Sequence, residues 1–492
     1  MTAVDTQAGP DVRRPQVEPG KLFIGGQWRE GAQHYEVIDP STGRAVTTVV
    51  DATENDVRDA VLAARAAFDN GQWAHMAGRE RGRVLNRVAE LVRRRAGELV
   101  AVESLDVGKP VALCRPVDVM TTADQYEYYA ALAQSMDGAV RDIPINAHAY
   151  TRREPLGVVG AITPFNFPLI LSTTKIAPAL AAGNAVVHKP APDTPLSALL
   201  MAEILAEAGV PDGVVNVVTG GTRTGEALVR DPGVDKIAFT GSTAIGRHIA
   251  QVAGAALKPV TLELGGNAAH VVFEDADLDK AIGAVIKAFV FNSGQFCMAG
   301  PRLLVAEPLY DTVLGILGDA VCGVPVGDPF DEATVIGPMA GERQLANVLA
   351  YIELARAEGG QVITGGDRLD LNGGSYLRPT VIAGLPAESR VIQQEIFGPV
   401  LTVQSFVDED EAVALANATP YGLAAGLQTE NLARAHRVAA RLRAGIVWVN
   451  DWAMLDPAVP FGGVKQSGFG REYGPEALAA YTTTKSVVIS LD

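Results

Sequence analysis

From Asn184 to Gly254 the chain alternates short β-favouring runs with helical stretches, and this alternation restricts the fold more than any other feature. Ala185–Val187 is a short apolar run. Thr194-Pro195 then reads as an N-cap and first-turn proline, opening a helix to about Ala208 that stops at Gly209. Val214–Val218 reads as the next strand, followed by a Gly-rich turn and a short helix. Lys236–Phe239 reads as a third strand, and Gly241-Ser242-Thr243 leads into a helix to about Gly254. Strands joined through a helix pair in parallel, because a parallel pair needs a crossover. The pattern predicts an α/β unit of the dinucleotide-binding kind.

A second α/β series follows. Asp277–Phe291 reads as a helix, Val400–Phe406 as a strand and Asp410–Asn417 as a helix. Leu423–Leu427, Asn431–Leu442 and Ile446–Val449 then read as strand, helix and strand. The first third is helix-rich: Leu85, Val88, Ala89, Val92 and Ala96 make one apolar stripe, with Arg87, Glu90 and Arg94 opposite. Around Ala147–Arg153 the chain turns β-favouring and polar. The β-branched run Thr482–Ser490 is too short and exposed to stand alone, so it is expected to pair within the chain or on a partner.

Several classes are excluded. A length of 492 residues allows about three domains. A net charge of −16 argues against a nucleic-acid groove or an anionic membrane surface. The three cysteines, Cys114, Cys297 and Cys322, are far apart, which excludes a disulfide scaffold and a thiolate zinc knot and points to a reducing compartment. No run of about 18 uninterrupted apolar residues occurs. Residues 1–20 carry Arg13-Arg14 without a following apolar stretch, so a frayed tail and a cytoplasmic location are expected.

The strongest chemical signal is Phe291-Asn292-Ser293-Gly294-Gln295-Phe296-Cys297. A cysteine in a Gly-containing loop after a helix meets conditions for a lowered thiol pKa and a nucleophilic role; the alternative is a small buried hydrophobe. None of the seven histidines (His34, His75, His148, His188, His248, His270, His436) has paired spacing, so none marks a Cys–His dyad or a metal site. Glu263, between Leu262 and Leu264 ahead of Gly265-Gly266-Asn267, is a better base, since apolar neighbours raise a carboxyl pKa; an exposed edge-strand Glu is the alternative. Asn166, in Pro164-Phe165-Asn166-Phe167-Pro168, suits an oxyanion contact or a tight turn. Gly241-Ser242-Thr243-Ala244-Ile245-Gly246 is a weak variant of the phosphate fingerprint. Lys189 follows a strand, where an α/β sheet binds ligands, unless it is merely solvated.

These residues acquire meaning from their order. Pro164–Pro168, Lys189-Pro190, Phe239-Thr240-Gly241-Ser242, Leu262–Asn267, Gly294-Gln295-Phe296-Cys297, Glu395-Ile396-Phe397-Gly398-Pro399 and Pro460-Phe461-Gly462-Gly463 together resemble the NAD(P)-dependent aldehyde dehydrogenase superfamily, of the hydrolytic, non-CoA-acylating type. The resemblance runs from about Phe23 to Ser490. It implies that Cys297 attacks the aldehyde, that Asn166 and the Cys297 backbone N–H hold the oxyanion, and that Glu263 activates the hydrolytic water. It also implies cofactor contacts at Lys189, Ser242, Gly241, Ile245, Glu395, Phe397, Thr163, Pro164, Leu264 and Gly220. The implied architecture is α/β: a Rossmann-like dinucleotide-binding domain (1–135 and 155–265), an α/β catalytic domain (266–470) and a small β-ribbon for oligomerisation (136–154 and 478–492). A homodimer or homotetramer is implied, with the ribbon pairing across an interface.

One departure concerns the cofactor. NAD-preferring relatives carry a glutamate three residues after the lysine, but here Pro192 stands there, with Asp193 after it. NAD is expected and NADP is admissible, the more so if Arg223, in the loop after Val214–Val218, reaches a 2′-phosphate; a solvated loop arginine is the alternative. By the resemblance the substrate tunnel is lined by Phe165, Phe167, Leu171, Thr174 and Phe291. Phe296, Met298, Leu455 and Phe461 complete it. That apolar lining, without a basic pair, points to apolar or aromatic aldehydes. The rivals are a CoA-acylating semialdehyde dehydrogenase, a catalytically silent NAD-binding or structural relative, and a cofactor-free cysteine hydrolase; no metal is expected.

Overall fold

A computed structural model describes residues 12–492. Its first sheet has eight strands, in the order Gln27–Arg29, Leu22–Ile24, Val215–Val217, Ala185–Lys189, Val158–Ile162, Lys236–Thr240, Val260–Glu263 and Gly468–Phe469. The five inner strands are parallel and the flanking ones antiparallel. Chain order reverses at Val158–Ile162, the first of the five in sequence. Such a reversal opens a crevice beyond the carboxyl ends of the strands on either side. Ile162 and Thr240 end those two strands, so Thr163–Asn166 and Gly241-Ser242 border the crevice.

A second sheet of seven strands has Val400–Phe406, Arg302–Ala306 and Ala269–Val272 at its centre, with Ala424–Gln428 next to one edge. Only Gln361–Thr364, at one edge, runs antiparallel. The Thr482–Ser490 strand pairs antiparallel with Ala147–Pro155 along its whole length, and Val140–Arg141 completes that ribbon. The terminal strand therefore finds a partner within its own chain.

Most elements lie where the periodicity puts them. The helices Leu196–Glu207, Thr243–Ala255 and Leu278–Val290 match within a residue or two. Five points differ. The stripe on Gly78–Arg94 does not reach Ala96, because Arg95 breaks the helix and Ala96 opens another, Ala96–Val107. Thr194 makes no cap; the buried carboxylate of Asp106 accepts the Leu196 N–H instead, at 2.8 Å. The early strands Leu22–Ile24, Gln27–Arg29, His34–Asp39 and Arg44–Val50 went unread, being three to seven residues long and mixed in polarity. Gly468–Phe469, deep in the second series by sequence, joins the first sheet. Finally, the expected tail is fixed from residue 12 onward: Arg14 pairs with Asp39 and Asp328 and lies over the Phe330 ring. The part of that tail from 1 to 11 lies outside the described residues.

Candidate active site

The Leu278–Val290 helix ends where Phe291 turns extended, with ψ of 129°. Asn292, Ser293 and Gly294 then take left-handed φ values of 50°, 55° and 69°. This reversal aims Cys297 back toward the first sheet. The loop is anchored from outside by Ser293 Oγ donating to Gly337 O at 3.0 Å and by the Ala340 N–H donating to Gln295 Oε1 at 2.9 Å. Close approach needs glycine on the facing side: a Cβ on Gly266 would lie 2.0 Å from the Cys297 carbonyl oxygen. A Cβ on Gly294 would lie 2.2 Å from the Gly398 backbone. Three motifs distant in sequence thus meet at one loop.

Asn166, buried, donates from Nδ2 to Gln295 O at 2.9 Å, two residues from Cys297. Its other amide N–H has no acceptor among the described residues. Glu263 is the last residue of its strand, in register with Thr240 on one side and Gly468 on the other. It is 2% exposed, which removes the exposed-edge alternative. Burial pushes its pKa well above the carboxylate range; Glu472 adds to the rise and Lys175 opposes it.

The thiol of half-buried Cys297 departs from expectation. Burial raises its pKa, and the carboxyls of Glu395, Glu263 and Glu472 raise it further. A loop cysteine without a nearby cation gains no thiolate stabilisation. Burial first, and then those carboxyls, turn the expected depression into a rise.

Most residues of the expected apolar lining fall in two adjoining clusters.

 Phe167, Phe296, Leu171, Phe291, Met298 and Leu455 pack together around Trp452. Cys297, Met298 and Leu455 also meet Phe461, with Leu423 and Tyr473. Phe167 and Phe291 stack at 6.1 Å, and Phe291 meets Phe296 edge-on at 5.3 Å. Phe165 and Thr174, also in the expected lining, make contacts of their own. Phe165 sets its ring edge-on against Phe397, 5.8 Å away, on the crevice side. Thr174 is fully buried and donates to Leu171 O at 3.0 Å within its own helix, because a hydroxyl at that spacing finds the preceding turn.

The crevice collects the other named residues. Lys189 ends its strand at 6% exposure, so the solvated alternative is excluded; Nζ donates to Pro190 O and Gly220 O, each at 2.7 Å. Burial lowers its pKa to about 8. Ser242 caps the Thr243–Ala255 helix, accepting the Ile245 N–H at 3.4 Å, and Ile245 is left exposed beside that helix end. The Gly241 N–H donates to Glu263 O at 3.0 Å, tying the fingerprint turn to the strand that carries the carboxyl. Glu395 accepts the Gly266 N–H at 3.0 Å, and burial raises its pKa to about 7. Thr163 bonds His188 at 2.9 Å, Pro164 follows half-buried, and the Leu264 N–H donates to Ser467 O at 3.0 Å. Phe397 has φ of 62°, and its carbonyl accepts from Gln344 at 2.8 Å. Pro192 is partly exposed, while Asp193 pairs with Arg343 at 3.3 Å. Arg223 is exposed in the first turn of the Thr222–Arg230 helix rather than in a loop, because that helix starts two residues after Gly220. It lines a cleft of about 680 Å³ with Arg58, Glu226, Arg230 and His248.

The family profile described as "Aldehyde dehydrogenase family" matches residues 28–487. The chain belongs to the aldehyde dehydrogenase family. A structure from Burkholderia cenocepacia, assigned as an aldehyde dehydrogenase, is 44% identical with a TM-score of 0.94, covering 96% of this chain and 98% of the other. The aldehyde dehydrogenase of Bacillus cereus, solved as its NAD+ complex, is 41% identical with a TM-score of 0.95, covering 96% and 97%. PnpE from Pseudomonas sp. WBC-3 is also 41% identical, with a TM-score of 0.94 and coverage of 96% and 98%.

Sequence reasoning missed two charged residues of this aldehyde dehydrogenase. Lys175 and Glu472 form a buried ion pair at 2.5 Å beside Glu263. Lys175 left a faint signal: it is the one charged residue of the Pro168–Ala182 helix. Glu472 left none, standing among polar residues near the chain end. Gln295, whose backbone and side chain both brace the loop, was read only as part of a motif.

Proposed function

We infer that the protein oxidises an aldehyde to the carboxylic acid through a covalent cysteine intermediate, with NAD as the expected cofactor. What supports the reading most is the arrangement around Cys297: the Asn166 amide bonded to its loop, and the Glu263 carboxyl close enough to perturb its thiol. Cys297 releases its thiol proton to solvent and adds through sulfur to the carbonyl carbon, giving a thiohemiacetal whose former carbonyl oxygen carries the negative charge. The free N–H of Asn166 and the Cys297 backbone N–H hold the oxyanion; removing one such donor typically costs about 10²–10³ in kcat. The chemistry supplied by a bound nicotinamide is acceptance of the hydride that turns the thiohemiacetal into a thioester. Glu263 takes a proton from the water that attacks this thioester, and the carboxylic acid leaves.

The crevice suits a dinucleotide on its own features. A capped helix end presents N–H groups to phosphate, and exposed Ile245 offers a flat apolar contact beside it. Lys189 and Glu395 would hold ribose hydroxyls, with Gly241, Ser242, Thr163, Pro164, Leu264, Gly220 and Phe397 shaping the cradle. Pro192 supplies no negative charge against a 2′-phosphate, and Arg223, without an ion-pair partner among the described residues, lines the same cleft as His248 of the Thr243–Ala255 helix, so NADP is accepted as well. The wall of Phe167, Phe291, Phe296, Leu455 and Phe461 favours apolar or aromatic aldehydes.

The ribbon exposes Val140, Val488 and Ile489, which supports a homodimer or homotetramer built on it. No helix among the described residues is long and apolar enough to cross a membrane. Unpaired cysteines go with a cytoplasmic setting.

The test is a rapid-mixing assay with a panel of aldehydes against NAD and NADP. Cys297→Ala is expected to abolish oxidation with nucleotide affinity kept. Glu263→Gln is expected to release one equivalent of reduced cofactor and then stall. Equal slowing of burst and steady state would remove Glu263 as the deacylation base, and fastest turnover on a charged semialdehyde would overturn the substrate class.

A further inference from the structure

Asn292 and Ser293 hold left-handed backbone angles without being glycine, a conformation that side chains seldom adopt and that persists where the surroundings enforce it. Ser293 and Gln295 brace the loop against residues 337–340, away from the reacting groups. Asn292 faces the other way. Its amide, 2% exposed, donates to Asn166 O at 2.9 Å and to Gln295 O at 3.2 Å. Gln295 O in turn accepts from the Asn166 side chain at 2.9 Å. Main chain of Asn166, side chain of Asn292, carbonyl of Gln295 and side chain of Asn166 therefore close a ring of hydrogen bonds.

We propose that Asn292 is a positioning residue: it clamps Asn166 to the nucleophile loop so that the free Asn166 N–H and the Cys297 backbone N–H converge on one oxygen. Asn292 touches no substrate and acts through Asn166. With one amide hydrogen of Asn166 committed to Gln295 O, the direction of the other follows from the ring, and the ring fails without Asn292. The inference rests on the reading of Asn166 as an oxyanion donor.

A double-mutant cycle on the full-length enzyme tests it, with kcat, KM, nucleotide affinity and melting temperature measured for Asn292→Ala, Asn292→Gly, Asn166→Ala and the Asn166→Ala/Asn292→Ala pair. Glycine at 292 accepts the φ of 50° without strain, so that variant keeps the loop backbone while losing the clamp. Asn166→Ala is expected to lose about 10²–10³ in kcat. Both Asn292 variants are expected to lose about tenfold to a hundredfold in kcat with KM and nucleotide affinity little changed, the scale of a misplacement near 1 Å. The double variant is expected to be no slower than Asn166→Ala alone. A double variant slower by the whole Asn292→Ala factor, or Asn292→Gly at the unmutated rate, would overturn the inference. Asn166→Ala at the unmutated rate would instead sink the oxyanion reading and the inference with it, and that failure is recognised because the Asn166 variant is the silent one.

Discussion

Lys175 Nζ lies 2.5 Å from Glu472 Oε1, and the same ammonium donates to Thr240 Oγ1 at 2.6 Å, the residue in register with Glu263 on the neighbouring strand. A buried cation and a buried anion thus act on the proposed base from one side. Glu472 pushes the Glu263 pKa up and Lys175 holds it down.

Opposite pH shifts follow from that pair. Glu472→Gln removes the repelling charge, so the rising limb of kcat against pH moves to lower pH. Lys175→Met removes the attracting charge, so the limb moves to higher pH. Each variant leaves a charge buried and unpaired, at a cost of about 3–5 kcal/mol, so melting temperatures are measured alongside. Shifts in the same direction would contradict the pair's influence on Glu263.

Glu395 gives a second pH dependence. Its folded pKa is raised to about 7 by burial, the Gly266 N–H opposing. A carboxyl raised in this way contributes stability that is complete below its unfolded value and lost as pH rises through about 7. On the proposed role of Glu395 in holding a ribose, its ionised form is the stronger acceptor for the ribose hydroxyls. Nucleotide affinity is therefore expected to strengthen from about pH 6 to about pH 8, and Glu395→Gln to flatten that rise. Calorimetric titration across the range checks it; an unchanged slope in Glu395→Gln would assign the dependence to another group.

Arg302 carries a stability prediction. Fully buried at the start of its strand, it donates to Asn267 O at 3.0 Å, Leu415 O at 3.0 Å and Ala416 O at 2.9 Å. It joins the double-glycine segment to the last turn of the Glu409–Asn417 helix, where a cation complements the helix dipole. Arg302→Met is expected to lose about 2–4 kcal/mol in urea unfolding, since the Asn267 and Ala416 carbonyls lose the guanidinium donor while Leu415 O keeps the Ala418 N–H. Arg302→Lys is expected to recover little, because one ammonium cannot reproduce a planar fork. A loss under about 1 kcal/mol would show that the carbonyls find other donors.

The parts of the fold that could be read in advance were those with local causes. The Asn184–Gly254 alternation forces parallel pairing, and observed strands Ala185–Lys189, Val215–Val217 and Lys236–Thr240 follow it. Elements that borrow their stability from distant partners were not readable. Gly468–Phe469 is a strand only because Glu263 and Leu262 lie beside it. Thr194 had the look of a cap, yet Asp106, ninety residues before Leu196, accepts the Leu196 N–H.

For the site, the chain alone settled which side chains are on offer: a cysteine in a Gly-Gln loop, a carboxyl ahead of two glycines, an asparagine between aromatics, and the ordered motifs that carry the family. Tertiary structure decided their ionisation and company. The Cys297 thiol rises rather than falls because the fold buries it and then brings three carboxyls from separate segments toward it, and Glu263, raised first by burial, is adjusted by a Lys175–Glu472 pair spanning nearly three hundred positions. Residue type and spacing are local properties, whereas desolvation and Coulomb interaction depend on distance in space, which only the folded chain assigns.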